Sequence, residues 1–123
     1  LPDQTARPLD ALEATIRERA ERPSEKSYTS RLLTGGVDAI GAKVIEEAGE
    51  LVEAASEPGD AGRSHFVYEA GDLVYHTLVL LRARGVELAE VEAELAKRFG
   101  VSGITEKAKR RQAGSEQVEG EVR

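Results

Sequence analysis

Residues 43–50 read KVIEEAGE and residues 69–76 read EAGDLVYH, so each stretch carries acids three positions apart, Glu47 with Glu50 and Glu69 with Asp72. On a helix, positions i and i+3 share a face. Two antiparallel helices with one such pair each can converge four carboxylates on a point. Hard oxygen donors, in a chain with no Cys and only two His, select Mg²⁺ or Mn²⁺ over Zn²⁺. Neither stretch has a Glu-x-x-His, since Leu73 stands three residues before His76, which argues against a ferritin-like di-iron site.

The surroundings of the acids sharpen the case. From Phe66 to Leu81, eleven of sixteen residues are Phe, Val, Tyr, Ala or Leu, spread all round the helical wheel, the pattern of a helix buried on most sides. Glu69 and Asp72 nevertheless share a face with Leu73, His76 and Leu80. Unpaired carboxylates on an apolar wall are costly or protonated, and two of them repel. A cation between them resolves the conflict. In the first stretch Val44, Ala48, Leu51 and Ala55 fall within about 60° of one another at 100° per residue and form the expected buried stripe, with Glu47 and Glu50 along one edge. Glu46 and Glu53 point further out. A plainer reading remains open there, because i,i+3 Glu pairs are common on solvated faces and Lys43 can pair with Glu47 at i,i+4. It is weaker for the second stretch.

The elements that must hold these acids are helices. Residues 9–22 place Leu9, Leu12, Ile16 and Ala20 at helical spacing, with Pro8 suited to the first turn and Pro23 ending it. Residues 26–36 (KSYTSRLLTGG) read as a short helical turn or loop, broken at Gly35-Gly36. A long helix is expected from about 37 to 56, then a loop (PGDAGRS) in which Asp60 or Ser64 caps the next helix. That helix covers 65–84 and closes at Gly85. A shorter one, 86–99, is marked by Leu88, Val91, Leu95 and Phe99. No stretch alternates with period two, so the fold class is all-α. The expected organisation is one domain over 1–113 and a polar tail over 114–123.

The 123 residues suffice for one domain that folds without staples. A net charge of −6 argues against non-specific nucleic-acid binding, which needs clustered Lys and Arg. The longest apolar run, Leu78-Val79-Leu80-Leu81, is far short of the roughly 20 residues of a membrane span. With no Cys and no signal-peptide pattern, a cytoplasmic location is expected.

Glu46-Glu47-x-x-Glu50 followed by Glu69-x-x-Asp72 resembles the signature of the MazG-like all-α nucleoside triphosphate pyrophosphohydrolases. More narrowly, SYTSRLL (27–33), GVDAIGAKVIEEAGELVEAA (36–55), EAGDLVYHTLVLL (69–81), GVELAEVEAELAKR (85–98) and SGITEKAKR (102–110) resemble, in order, the phosphoribosyl-ATP pyrophosphatases of histidine biosynthesis. The resemblance covers about two-thirds of the chain and implies Mg²⁺-dependent hydrolysis of phosphoribosyl-ATP to phosphoribosyl-AMP and pyrophosphate. On that footing Glu47, Glu50, Glu69 and Asp72 hold the metal. Glu46 is an outer ligand or, with Glu47, a candidate for the base that orients water. Lys43 is a candidate phosphate contact or only an ion-pair partner. Arg98, Lys107 and Arg110 are further phosphate candidates, although basic residues near a terminus are usually just solvated. Ser27, Tyr28 and Thr29 shape a nucleotide pocket or cap a short helix. His76 is expected to be a satisfied core histidine.

A helix apolar all round needs more cover than four helices supply, so a homodimer pairing residues 65–84 across a twofold axis is expected. The rival within enzymes is a house-cleaning pyrophosphohydrolase for dUTP or other aberrant nucleotides. The rival outside enzymes is an acidic helical dimerisation module whose Glu pairs form interhelical salt bridges.

Overall fold

Four helices make up the regular structure of the computed structural model, which describes residues 7–100: α1 (Pro8–Glu21), α2 (Tyr28–Ala54), α3 (Gly59–Ala83) and α4 (Leu88–Phe99). No strand occurs among the described residues, and the chain is all-α. The boundary expected at residue 113 lies outside the described residues. The chain divides into two compact units, one ending at Val86 and the other beginning at Glu87.

In the first unit α1 starts on Pro8, whose missing N–H would have no helical partner in any case, and ends where Pro23 cannot continue it. Ile16 is its buried residue. The chain then turns into α2, whose Ser27 side chain accepts from the Ser30 amide at 3.1 Å. Residues 28–35, expected as a short helical turn or loop, are helical and belong to α2. The expected break survives as a kink at Gly36 (φ 84°, ψ −174°), a backbone state that side chains oppose.

The α2–α3 hairpin is the main packing unit. The two helices run antiparallel, as cross-contacts from Tyr28 to His76 and from Thr29 to Tyr75 show. Along α2 the buried positions after the kink are Ile40, Glu47 and Ala54; along α3 they include Gly62, Glu69 and His76. Both rows repeat every seven residues, the spacing that keeps one seam facing a partner helix. The expected stripe of Val44, Ala48, Leu51 and Ala55 is therefore corrected. The first three are half-buried and Ala55 is exposed, while Glu47 lies within the seam rather than along its edge.

α3 begins six residues earlier than its pattern suggests. Pro58 in extended conformation is the residue before the helix, and neither Asp60 nor Ser64 caps it; Asp60 sits in the first turn, where a negative charge meets the positive end of the helix. Gly62 fits because a Cβ there would come within 2.4 Å of the Glu57 carbonyl oxygen. The C-terminus is closed by Gly85 (φ 69°), with Val86 N–H donating to Leu81 O and Gly85 N–H to Arg82 O, both at 2.9 Å. This double bond is the Schellman arrangement that a left-handed Gly permits.

The core is thin. Its buried apolar residues are Ile16, Leu32, Ile40, Ala54, Leu78 and Val79, whereas Ile45 (75% exposed), Val52 (71%) and Val67 (60%) face outward together with Phe66, Tyr68 and Val74. In the single chain α3 is thus not buried on most sides. Its outward row 67–74 and the α2 row 45–52 lie on wheel faces opposite the Glu69 and Glu47 seams.

The second unit contains α4, opened by a reciprocal capping box between Glu87 and Glu90 and closed by Gly100 in the left-handed conformation.

Candidate metal and nucleotide site

The seam of the hairpin gathers the acids. α2 is regular after Gly36, so Glu46, Glu47 and Glu50 come off uninterrupted helix, facing Glu69 and Asp72 of α3. Glu47, Glu69 and Asp72 each offer a carboxylate oxygen within 4.8 Å of the others, and so do Glu46, Glu47 and Glu50. Glu47 belongs to both groups and links five carboxylates into one cluster. It is 5% exposed and Glu69 7%, while Glu50 and Asp72 are half-buried and Glu46 is open to solvent. The cluster thus has a dry centre, Glu47 with Glu69, and a wet member, Glu46.

The charges are poorly compensated. One oxygen each of Glu47 and Glu69 is buried with no hydrogen-bond partner, a state that costs free energy in a folded chain. Burial, followed by the hydrogen bond with Glu69 and the charges of Asp72 and Glu50, pushes Glu47 up to about 7. Burial, then the charge of Glu69, raises Glu50 as well. Orphaned, mutually repelling hard oxygens are what a small divalent cation satisfies, and this donor set fits one.

Two basic side chains touch the cluster. Lys43 Nζ donates to Glu46 Oε1 at 3.3 Å, and this bond raises the lysine's pKa. The pairing is with Glu46, not with the Glu47 expected from i,i+4 spacing. His65 bridges two acids, Nδ1 at 2.9 Å from Glu57 and Nε2 at 3.0 Å from Glu69 Oε2. Its bonds to Glu57 and then Glu69 raise its pKa. Sequence reasoning passed over His65; its place four residues before Glu69 was the available signal. Across the seam, acid faces acid.

Beside the cluster stands an aromatic group. His76 Nδ1 donates to the Asp72 carbonyl at 2.9 Å, which leaves Nε2 to accept from the Tyr28 hydroxyl at 3.0 Å. His76 is buried with both nitrogens bonded, a satisfied core histidine that also ties Tyr28 to the turn of α3 that carries Asp72. Thr29 bonds the Tyr75 hydroxyl, and Ser27 caps α2. Burial raises the Tyr28 phenol, and its neighbours in charge include Lys43, Glu47 and Glu46. Residues 27–29 also line one wall of a cavity of about 560 Å³ shared with Thr15, Glu18, Arg19, Arg22, Ser24 and Lys26.

Arg98 lies on α4 in the second unit and pairs with Glu94 at 3.3 Å. Lys107 and Arg110 lie outside the described residues.

Comparison with known proteins agrees with the geometry. The phosphoribosyl-ATP pyrophosphohydrolase family profile matches residues 9–99. The chain is 59% identical over 103 residues to a phosphoribosyl-ATP pyrophosphatase of Rhodopirellula baltica, covering 84% of this chain and 86% of the relative. It is 48% identical over 101 residues to phosphoribosyl-ATP pyrophosphatase 1 of Bradyrhizobium diazoefficiens, covering 82% and 92% respectively. With the enzyme of Neisseria meningitidis serogroup B the figures are 44% over 102 residues, 83% and 92%. A match spanning the α2 and α3 acids, in a helical chain that gathers them at one seam, places this protein in the phosphoribosyl-ATP pyrophosphohydrolase family.

Proposed function

We propose that this chain hydrolyses phosphoribosyl-ATP to phosphoribosyl-AMP and pyrophosphate, a step of histidine biosynthesis, with Mg²⁺ held by Glu47, Glu50, Glu69 and Asp72. The observation that carries the metal assignment is the pair of buried, unpartnered oxygens on Glu47 and Glu69, within reach of Asp72. When bound, Mg²⁺ neutralises charge on the phosphate oxygens and favours an ionised water; Mn²⁺ offers similar chemistry. The chain's own residues then divide the remaining work. Lys43, already beside the acids, binds a phosphate oxygen in exchange for its bond to Glu46. Glu46, at the wet end of the cluster, is released by that exchange to accept the proton of the attacking water, with Glu47 as the alternative base. Water attacks phosphorus, the α–β anhydride bond breaks, and pyrophosphate departs. Tyr28, fixed by His76, offers a ring for the base or ribose to lie against.

Pyrophosphate release from phosphoribosyl-ATP, measured beside ATP and dUTP with and without Mg²⁺, tests this reading. Turnover is expected with phosphoribosyl-ATP and only with Mg²⁺ or Mn²⁺ present. Preference for dUTP would replace it with a house-cleaning role.

The same proposal includes a homodimer. Val67, Val74, Phe66 and Tyr68 on α3 leave an exposed apolar surface that a second copy pairing residues 65–84 would cover. Sedimentation is expected at twice the 13.3 kDa chain mass, and Val67→Glu is expected to shift it to the monomer. A wild-type monomer at micromolar concentration sinks the dimer. No described helix is long and apolar enough to cross a membrane, and a cytoplasmic location belongs to the same reading.

A further inference from the structure

The cavity between the end of α1 and the start of α2 has a charge unlike that of the rest of the molecule. Of its nine lining residues, Arg19, Arg22 and Lys26 are cationic and Glu18 alone is anionic, in a chain with net charge −6. Glu18 holds the two guanidinium groups in place, bonded to Arg19 and lying 3.7 Å from Arg22, and leaves an excess of positive charge on the lining. Lys26 has no acidic partner among the described ion pairs.

Hydrogen-bond donors supplement the charge. The Ser24 hydroxyl oxygen accepts from the Lys26 amide at 3.2 Å and that of Ser27 from the Ser30 amide at 3.1 Å. Each hydroxyl keeps its own proton to donate. Ser27 takes up only the Ser30 amide at the opening of α2, and the Arg31 amide goes to the Ser27 carbonyl. The amides of Tyr28 and Thr29 are thereby left for an anion at the positive end of the helix. Guanidinium forks, an ammonium, hydroxyls and helix amides together are the set that recognises a phosphomonoester.

Tyr28 joins this cavity to the acid cluster. It lines the cavity, yet its hydroxyl is bonded to His76 and its ring lies within the electrostatic reach of Lys43, Glu46 and Glu47. A ligand with its triphosphate at the acids and its base across Tyr28 therefore points its far end into the basic cavity. Phosphoribosyl-ATP has such a far end, a ribosyl 5-phosphate that a plain nucleoside triphosphate lacks.

We propose that Arg19, Arg22 and Lys26, with Ser24 and Ser27, form a specificity subsite for the ribosyl 5-phosphate, separate from the acid cluster that handles the triphosphate. This rests on the phosphoribosyl-ATP reading above. Arg22→Gln and Lys26→Gln alter exposed side chains, so circular dichroism is expected to match the wild type. The ratio of kcat/KM for phosphoribosyl-ATP to that for its analogue lacking the 5-phosphate is expected to fall about tenfold per variant, the loss of one charge-assisted contact, mainly through KM.

A second measurement needs no turnover. Ribose 5-phosphate titrated calorimetrically into metal-free wild-type protein is expected to bind, and about tenfold more weakly to either variant. Equal losses for the two substrates would assign the cavity to the triphosphate and overturn the subsite. An unchanged ratio, or ribose 5-phosphate binding that the variants do not weaken, would also overturn it. Should the wild type release no pyrophosphate from phosphoribosyl-ATP, the activity reading fails, and the calorimetric arm still judges the cavity by itself.

Discussion

Asp72→Asn is expected to lower kcat for pyrophosphate release by about 10²–10³-fold, the usual cost of removing one preorganised electrostatic group from a transition state. The change keeps the shape of the side chain and deletes its charge. Asp72 lies on the half-buried side of the cluster, within 4.8 Å of ligand atoms of Glu47 and Glu69, and its negative charge is among the causes that raise Glu47. Removing that charge relieves repulsion in the metal-free protein, so the helical circular dichroism signal is expected to persist and the metal-free melting temperature not to fall. Loss of activity with a retained or improved fold separates a metal ligand from a structural acid. Glu50→Gln belongs to the same class. Glu53→Gln is the control: Glu53 is exposed on α2, outside both carboxylate groups, and its variant is expected to stay within threefold of the wild type. An Asp72→Asn enzyme that retained more than a tenth of wild-type turnover would remove Asp72 from the metal set.

The acids of this site were legible because their spacing conflicts with their surroundings. A Glu and an Asp on an otherwise apolar helix demand an explanation, and the hairpin answers it by placing them opposite the acids of α2. Less legible was how deep Glu47 lies. Hydrophobicity alone puts Val44, Ala48, Leu51 and Ala55 on the inward face, yet the buried row is Ile40, Glu47 and Ala54. The wheel assigns burial to the greasiest face, while this seam buries a carboxyl group and leaves apolar Ile45 and Val52 outside. Such local violations of pattern collect at sites.

Other departures have simple causes. Gly35-Gly36 marks a kink because helix resumes on both sides, and the turn-like sequence 59–64 is helical, with Gly62 where a Cβ would meet the Glu57 carbonyl. Arg19, Arg22 and Lys26 resemble a solvated helix end when read along the chain. Only the turn that folds residues 24–29 back over α1 collects them around one cavity.

Metal-free protein is expected to lose stability as pH rises through neutrality, and Mg²⁺ is expected to cancel that loss. The sign follows from Glu47. Its folded value, pushed up to about 7, lies above its ordinary value of 4.5. Between those values the folded chain holds a proton that the unfolded chain has released, so this contribution is complete below the lower value and disappears as pH passes the upper one. The span corresponds to roughly 1–3 kcal/mol, or a melting-temperature drop on the order of 5–10 °C in a domain of this size between about pH 5 and pH 8. His65, raised by Glu57 and Glu69, adds a loss of the same sign as it deprotonates. Mg²⁺ binds the deprotonated carboxylates, so its stabilising effect grows with pH. Thermal scans across that range, with and without Mg²⁺, therefore give a falling line for the metal-free protein and a flatter one for the loaded protein. Glu47→Gln is expected to flatten the metal-free line and to lose most of the Mg²⁺ increment. If the slope survives in that variant while His65→Gln abolishes it, the titrating group is the histidine, and Glu47 is ionised in the folded chain without help from a cation.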